Sequence, residues 1–396
     1  MLHGTLLGRF EVALPVPARV HDLAVVREAV RLLTSGEDDV HSHVGYAPGR
    51  MTVIGDHIDY VGGDVLCCAI NRGIAVALAP GSCRVWSIRD ETRTELLESL
   101  DTPSAHFGRV LAALSWARRK WGGDEVLSCA LSSDLPRSVG LSSSAAVVIA
   151  TLRAYACWRG KSMSSDELAD GAYQVEHDEL GIPSGHLDQY AICRSREQAL
   201  HELHCHTMTS TFIPWDSNKA VFIVCDTGIE HAVADSPYGS RVHSMQAALH
   251  DLGVSWIGAC PREEKAPRKR NAQWFHHCLT EEYRVRDAVE AVRKGDVTEL
   301  GQLMTASHVS LRDDYEVSHG VCDALVDALT RMDGCLGARI TGAGFGGCVV
   351  ALVEASRADI VLKQVQRLLP TNTDHTGDAW ACIPGAGVAE LYDMAE

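Results

Sequence analysis

The stretch "GLSSSAAVVIATLRAYACW", from residue 140, sets three small hydroxyls, Ser142, Ser143 and Ser144, at the head of an apolar run with helical spacing. Two chemistries suit it. One serine can cap the helix by accepting a first-turn N–H. A helix N-terminus also offers free N–H groups and partial positive charge, which suit phosphate, and a serine on that turn can ligate Mg2+. One cap needs one serine, so capping alone leaves two hydroxyls unexplained. A second stretch, "APGRMTVIGDHIDYVGG", groups Arg50, Asp56, His57 and Asp59 among glycines and strand formers. Such charges either satisfy one another structurally or converge on a polyol. A third, "VEHDELGIPSGHLDQYA", holds Glu176, Asp178, Glu179 and Asp188. Glu176 and Glu179 lie near one helix face. Asp188 follows a helix break, as a general base or a turn residue would.

Gly342, Gly344 and Gly347 match G-x-G-x-x-G, but "CVVALV" follows. A dinucleotide site needs a helix there, and a β-branched apolar run is a strand. Four glycines in six residues exceed the need of one hairpin turn and point to close backbone approach to a helix or ligand. No G-x-x-x-x-G-K-[ST] and no H-R-D or D-F-G set is present, which excludes a P-loop protein and a protein kinase. "HELHCHTM" (His201, His204, Cys205, His206) has a metal-like composition without zinc-type spacing and reads as strand-edge alternation.

The elements that must position these groups follow from periodicity. "VGYAPGRMTVIGDHIDYVGGDVLCCAINRGIAVALAP" reads as strands and turns. "HFGRVLAALSWARRKW" is an amphipathic helix, "EVLSCALSSDLP" a strand, and the serine-led helix spans about 142–158. Ser164 and Glu167 form a capping box, and that helix stops at Gly181 and Pro183. "KAVFIVCDTG" is a buried strand. Residues 240–310 are mostly helical, with "CPREEKAPRKRNAQ" as a solvated loop. "ARITGAGFGGCVVALVEA" is strand, glycine loop, strand. Helices and strands alternate, so the class is mixed α/β or α+β, with a boundary near 195–215.

The chain has 396 residues, 46% apolar and 22% charged, enough for two or three domains. A net charge of −16 argues against nucleic acid or an anionic membrane as a partner. Fourteen cysteines without C-x-x-C pairs read as reduced thiols. The first twenty residues lack a signal-peptide core, and no apolar stretch is long enough to span a membrane. The expected location is cytoplasmic.

Taken in order, "APGRMTVIGDHIDYVGG", "LPRSVGLSSSAA", "SHVSLRDDYEVS" and "ITGAGFGGCVVAL" resemble the sugar-binding signature, the phosphate motif, a galactokinase-typical stretch and the third motif of the galactokinase branch of the GHMP kinases. "EHDELGIPSGHLDQY" and "DTGIEHAVADSPYGSRV" align in character. The resemblance implies an α+β fold of two lobes, a ribosomal-S5-like lobe over 1–200 and a ferredoxin-like lobe over 201–396, with the active site between them. It implies ATP and Mg2+, a galactose-type sugar phosphorylated at its anomeric hydroxyl, and a monomer or weak homodimer. Asp188 becomes the catalytic base with Arg50 beside it. Asp56, His57, Asp59, Gly185 and Tyr238 become sugar contacts. Gly140, Leu141, Ser142, Ser143 and Ser144 form the phosphate loop, supported by Gly342, Gly344, Gly346 and Gly347. Ser144 and Glu176 become the Mg2+ ligands.

Three positions depart from the family pattern. Ser138 stands where a glycine is usual, Thr52 where an asparagine is, and Asp56 where a glutamate meets the sugar's 6-position. The shorter Asp56 is expected to hold plain galactose less well, with galacturonate or N-acetylgalactosamine as rival acceptors. A non-catalytic ATP and sugar sensor is the rival of another class, but "GLSSSAA" is complete and Asp188 is present. Glu176→Gln is expected to raise the Mg2+ concentration for half-maximal rate, with partial rescue by excess Mg2+. An unchanged Mg2+ titration would make Glu176 structural.

Overall fold

Apolar residues on both faces of two long strands decide the architecture. The computed structural model describes residues 20, 23–34, 42–81, 84–87, 94–96, 107–136, 139–182, 185–229, 238–266, 271–369 and 377–392. Ser138, most of the N-terminal stretch, Pro183 and part of the 260–273 loop lie outside them. Strand β1 (His43–Ile54) pairs antiparallel with β2 (Asp64–Pro80), and nearly every residue of both is buried. The short strand β3 (Arg84–Ser87) lies between β4 (Thr94–Leu96) and β5 (Leu127–Ser133), and β6 (Ala199–His204) pairs with β7 (Thr209–Pro214). Strand β2 joins these two groups by pairing with both β5 and β6, which completes a seven-stranded sheet.

Helix α1 (Ala24–Thr34) packs against β2, and α2 (Gly108–Trp121) packs against α3 (Ser143–Trp158). Helix α3 is the serine-led helix. Its sequence is apolar nearly all round, so it is a core helix rather than a surface one. It lies against β1 and β2. Gly45 is required by that approach, because a Cβ there would come within 2.0 Å of the Ala150 carbonyl oxygen. Helix α4 (Ser165–Gln174) opens with the expected Ser164–Glu167 capping box. It continues into a single π-helical turn, Val175–Glu179, before α5 (Leu187–Arg194).

The second sheet is antiparallel, ordered β11, β8, β10, β9: β8 (Ala220–Asp226), β9 (Cys335–Thr341), β10 (Cys348–Glu354) and β11 (Asp378–Cys382). Of the helices that follow, α6 (Tyr238–Leu252) packs on α7 (Ala272–Lys294), which lies against β1, β2 and β7, while α8 (Val297–Asp313), α9 (Gly320–Leu329) and α10 (Ala358–Gln366) pack on the second sheet. The short α11 (Val388–Leu391) returns to α5 and β1. The chain crosses from the first sheet to the second between Pro214 and Ala220, past the expected division after residue 200, because the β6–β7 hairpin completes the edge of the first sheet.

Two seams join the sheets. The Thr341 hydroxyl bonds both backbone groups of Thr52, at 3.0 and 3.1 Å, which ties β9 to β1. The glycine loop between β9 and β10 then lies on the loop before α3. Cys348 N–H donates to the Val139 carbonyl at 3.0 Å. A Cβ on Gly342 would come within 2.6 Å of Gly140 Cα, and one on Gly347 within 2.7 Å of the Val139 carbonyl oxygen. The excess glycines serve backbone-on-backbone contact between the two loops, as their number suggests.

Candidate active site

Arg50 extends from β1 into the space between these layers, and its side chain is nearly all buried. Two of its nitrogens, Nε and Nη2, donate to Asp188 Oδ1 at 3.0 and 2.6 Å. Its third, Nη1, donates to the Gly140 carbonyl at 2.6 Å, and its backbone N–H donates to Leu141 O at 3.2 Å. One residue thus joins the expected base to the expected phosphate loop. Burial works against the Arg50 charge, but Asp188 and Asp56 outweigh it and raise its pKa. Asp188 sits in the first turn of α5, about a third exposed, with Oδ2 outside the Arg50 contact.

The loop that Arg50 touches leads into α3. Ser142 holds the N-cap position with φ 59°, in the left-handed region. Its side chain makes no cap bond, which corrects the expectation of a serine cap. A capping side chain needs the extended backbone angles that Ser142 lacks. Ser142 Oγ is buried without a hydrogen-bond partner among the described residues. A buried hydroxyl beside free helix N–H groups fits a phosphate oxygen.

Glu176 lies on the π-helical turn, the geometry that inserts one extra residue and often marks functional sites. It is 3% exposed. Burial first, and Asp188 second, push its carboxyl above the usual range, offset by bonds from Gln189 and Ser144. Gln189 Nε2 donates to Glu176 Oε2 at 2.6 Å. Ser144 and Glu176 therefore meet as a hard oxygen pair next to the phosphate loop. That donor set suits Mg2+, which takes one or two carboxylates and phosphate oxygens. Glu179, near the same helix face in sequence, turns instead to Arg119 at the surface.

The turn between β1 and β2 brings together His57, Asp59 and Tyr60. His57 has φ 67°. Its Nε2–H donates to the Ala343 carbonyl at 3.1 Å, and its ring packs on Tyr315 and Tyr238 with centroids 4.8 and 5.6 Å away. Burial, with His277 nearby, pushes its pKa down to about 3, so the ring is neutral at pH 7. Tyr60 and Tyr315 hydroxyls are 2.5 Å apart. Asp59 packs on Gly185, where a Cβ would come within 2.1 Å of Asp59 Oδ2. Burial and the neighbouring Asp188 push the Asp59 carboxyl up to about 7.

Asp56 departs from its expected role as an open sugar contact. Its Oδ2 accepts from Arg339 Nη2 at 2.7 Å, and its Oδ1 accepts from Gly342 N–H at 3.2 Å. Arg339 is fully buried and also donates to Val53 O at 3.0 Å. Breaking one side of such a pair leaves a buried charge alone and costs about 3–5 kcal/mol. In this geometry Asp56 is committed to the β1–β9 seam. Arg339 had no motif to announce it in the sequence. Tyr315 lies within "SHVSLRDDYEVS", and only that stretch signalled it.

The "HELHCHTM" histidines separate. His201 points into the core and pairs with Ser210. His204 Nδ1 lies 3.0 Å from Asp64 Oδ1, and Arg293 reaches Glu202 at 3.2 Å. Asp64, Glu202 and His204 place one ligand atom each within 4.8 Å of one another, inside this network of ion pairs.

An aspartate held by a buried arginine, a serine-led helix N-terminus and a supporting glycine loop fit a small-molecule kinase of the GHMP type. Family models agree: GHMP kinases N terminal domain matches residues 108–196, GHMP kinases C terminal matches 288–371, and the galactokinase galactose-binding signature matches 35–80. Galactokinase of Roseiflexus sp. (strain RS-1) is 32% identical over 378 residues, covering 90% of this chain and 95% of that protein. Galactokinase of Haemophilus influenzae (strain PittEE) is 31% identical, covering 87% and 93%. The chain belongs to the galactokinase family. In fold it is similar to Lactococcus lactis galactokinase complexed with galactose, with TM-score 0.81 and 24% identity over 92% of this chain and 98% of that one. It is more distantly similar to the mevalonate kinase of Methanococcus jannaschii, with TM-score 0.65 and 19% identity over 86% and 98%.

The Asp59 shift carries a sign. Its ordinary value is 3.8, and in the folded chain it titrates near 7. Between those values the folded chain keeps a proton that the unfolded chain has released. Stability therefore falls as pH rises from about 4 through 7. Asp59→Asn is expected to flatten this part of the melting-temperature profile of the sugar-free protein. Parallel profiles for the variant and the parent would contradict the assignment.

Proposed function

We propose that this chain transfers the γ-phosphoryl group of ATP to the anomeric hydroxyl of galactose. The observation that carries this reading is the Arg50 junction, which holds Asp188 against the loop at the head of α3. The relatives named galactokinase and the galactose-binding signature over 35–80 support galactose over galacturonate and N-acetylgalactosamine. The intact base and serine run support turnover rather than sensing.

Phosphoryl transfer needs positioning and charge stabilisation more than covalent help. Gly185, His57, Asp59 and Tyr238 line the sugar side, with Asp56 holding their turn from behind. Arg50 occupies Asp188 Oδ1 from two nitrogens, which leaves Oδ2 to take the proton. The sugar O1–H gives that proton to Asp188 as O1 bonds to the γ-phosphorus. The bond from phosphorus to the bridging oxygen breaks, and ADP departs with that electron pair. Arg50 holds Asp188 oriented for this step. The residues at 140–144 receive the phosphates through N–H groups and the Ser142 hydroxyl, with Gly342, Gly344 and Gly346 shaping the loop behind them. Ser144 and Glu176 would hold Mg2+, which supplies charge neutralisation on the phosphates.

The lobe assignment of the sequence reading stands as part of this proposal, with the crossover after Pro214. The described cysteines are free thiols, which suits a cytoplasmic enzyme. No helix among the described residues is long and apolar enough to cross a membrane.

Asp188→Asn is expected to leave fold and ATP binding intact and to lower kcat by roughly two to four orders of magnitude. The assay is ADP release across galactose, galacturonate, N-acetylgalactosamine, glucose and arabinose. More than a tenth of the parent kcat in the variant would remove Asp188 from the role of base. A parent that prefers another sugar would remove galactose.

A further inference from the structure

The turn over residues 55–64 carries most of the groups expected to meet the sugar, yet its own sequence does little to fix it. It holds three glycines and a left-handed His57. Besides its short-range backbone bonds and the contacts of Asp56 and His57 with Arg339, Gly342 and Ala343, it is held through its peptide groups by one face of α7, more than two hundred residues away in the chain. Glu281 Oε1 accepts from Gly55 N–H at 2.9 Å. His277 Nε2–H donates to Asp56 O at 3.3 Å. Cys278 Sγ–H donates to His57 O at 3.6 Å. Glu282 Oε2 accepts from Asp64 N–H at 2.9 Å. Positions 277, 278, 281 and 282 form one stripe of the helix. Four of its neighbours on the turn are therefore backbone groups, not side chains.

The chemistry of the stripe is costly, and packing does not explain it. His277, Glu281 and Glu282 are all fully buried. Burial alone would raise the Glu281 pKa, but Arg284, Arg339, His277 and the Ser307 hydroxyl bring it down to about 2. It is ionised at any working pH. Arg284 Nε bonds its other oxygen at 2.7 Å, and Ser307 Oγ shares the first at 2.5 Å. Glu282 is matched by Arg286. Buried ion pairs of this kind often cost as much as they return, and apolar residues of similar size serve stability as well or better. A carboxylate that accepts a backbone N–H at each end of the turn does something an apolar side chain cannot. It sets the position of the peptide groups from which Asp56, His57 and Asp59 extend.

We propose that Glu281 is a positioning residue for the sugar, acting with Glu282 and His277 as a backbone clamp that presets the 55–64 turn before substrate arrives. The proposal rests on the reading of that turn as the sugar side of a galactokinase. A clamped turn loses little further freedom on binding, so the clamp acts through sugar affinity. The nucleotide side is built from β9, β10 and the head of α3, whereas the hydrogen bonds of Glu281 go to Gly55, Arg284 and Ser307.

The test compares Glu281→Met, which keeps length without the acceptor, with Glu281→Gln, which keeps an oxygen for Gly55 N–H. Galactose and ATP dissociation constants are measured by calorimetry on the same preparations. The clamp predicts a galactose Kd raised about tenfold or more in Glu281→Met, an ATP Kd within about twofold of the parent, and recovery to within about threefold in Glu281→Gln. A folded Glu281→Met that binds galactose like the parent overturns the clamp, as does equal weakening of both ligands. Amide hydrogen exchange of the sugar-free parent covers the case in which Glu281→Met fails to fold. Protection of 55–64 comparable to β1 supports the clamp, and loop-like exchange there overturns it. A protected turn in a parent that binds no galactose supports the clamp and overturns the function instead.

Discussion

Arg50 is the contact on which the rest of the site depends. A guanidinium this buried must find partners for its donors, and here it has two. It takes one oxygen of Asp188 through a fork of two N–H groups and the Gly140 carbonyl through a third nitrogen. Asp188 and the loop before α3 therefore share one rigid reference. Neither can shift by an ångström without unpairing a buried charge. In-line transfer between two substrates needs that kind of fixed separation.

The surrounding architecture reads as support for this junction. Strand β1 carries Arg50, and β9 is stitched to β1 by Thr341 and Arg339. The glycine loop after β9 rests on the loop that Arg50 touches. Asp56 closes the seam by joining Arg339 to Gly342. The 55–64 turn is gripped from α7, and the loop before α3 is pressed by the glycine loop between β9 and β10. Two sheets with few covalent crossings thus behave as one frame around the gap between them.

Much of this was legible in the sequence, for a physical reason. Phosphate and sugar groups need fixed local chemistry, so glycines, serines and acids must stand at short, regular spacings. The serine-led helix, the capping box at Ser164 and the strand–loop–strand of the glycine motif follow from such stretches, while the nearness of Arg50 to Asp188 was implied only by the family resemblance. Arg339, Glu281 and Glu282 were not legible. Their partners lie more than two hundred residues away, and no periodicity marks a buried charge whose partner is elsewhere. Ser142 misled because capping depends on backbone angles, and a left-handed N-cap cannot be read from residue type. Asp56 misled for a related reason: its family position suggests a ligand, while its partner Arg339 decides where the carboxylate goes. The π-helical turn at Glu176 is likewise a tertiary outcome inside a run with ordinary helical spacing.

The central claim is that Arg50 and Asp188 act as one unit. A double-mutant cycle on kcat tests it, with Arg50→Lys, Asp188→Asn and the double variant measured at saturating galactose and ATP. Lysine keeps the charge but not the fork that reaches both Asp188 and Gly140. The account predicts strong non-additivity, with the double variant within about threefold of Asp188→Asn alone. Losses that multiply independently would contradict it.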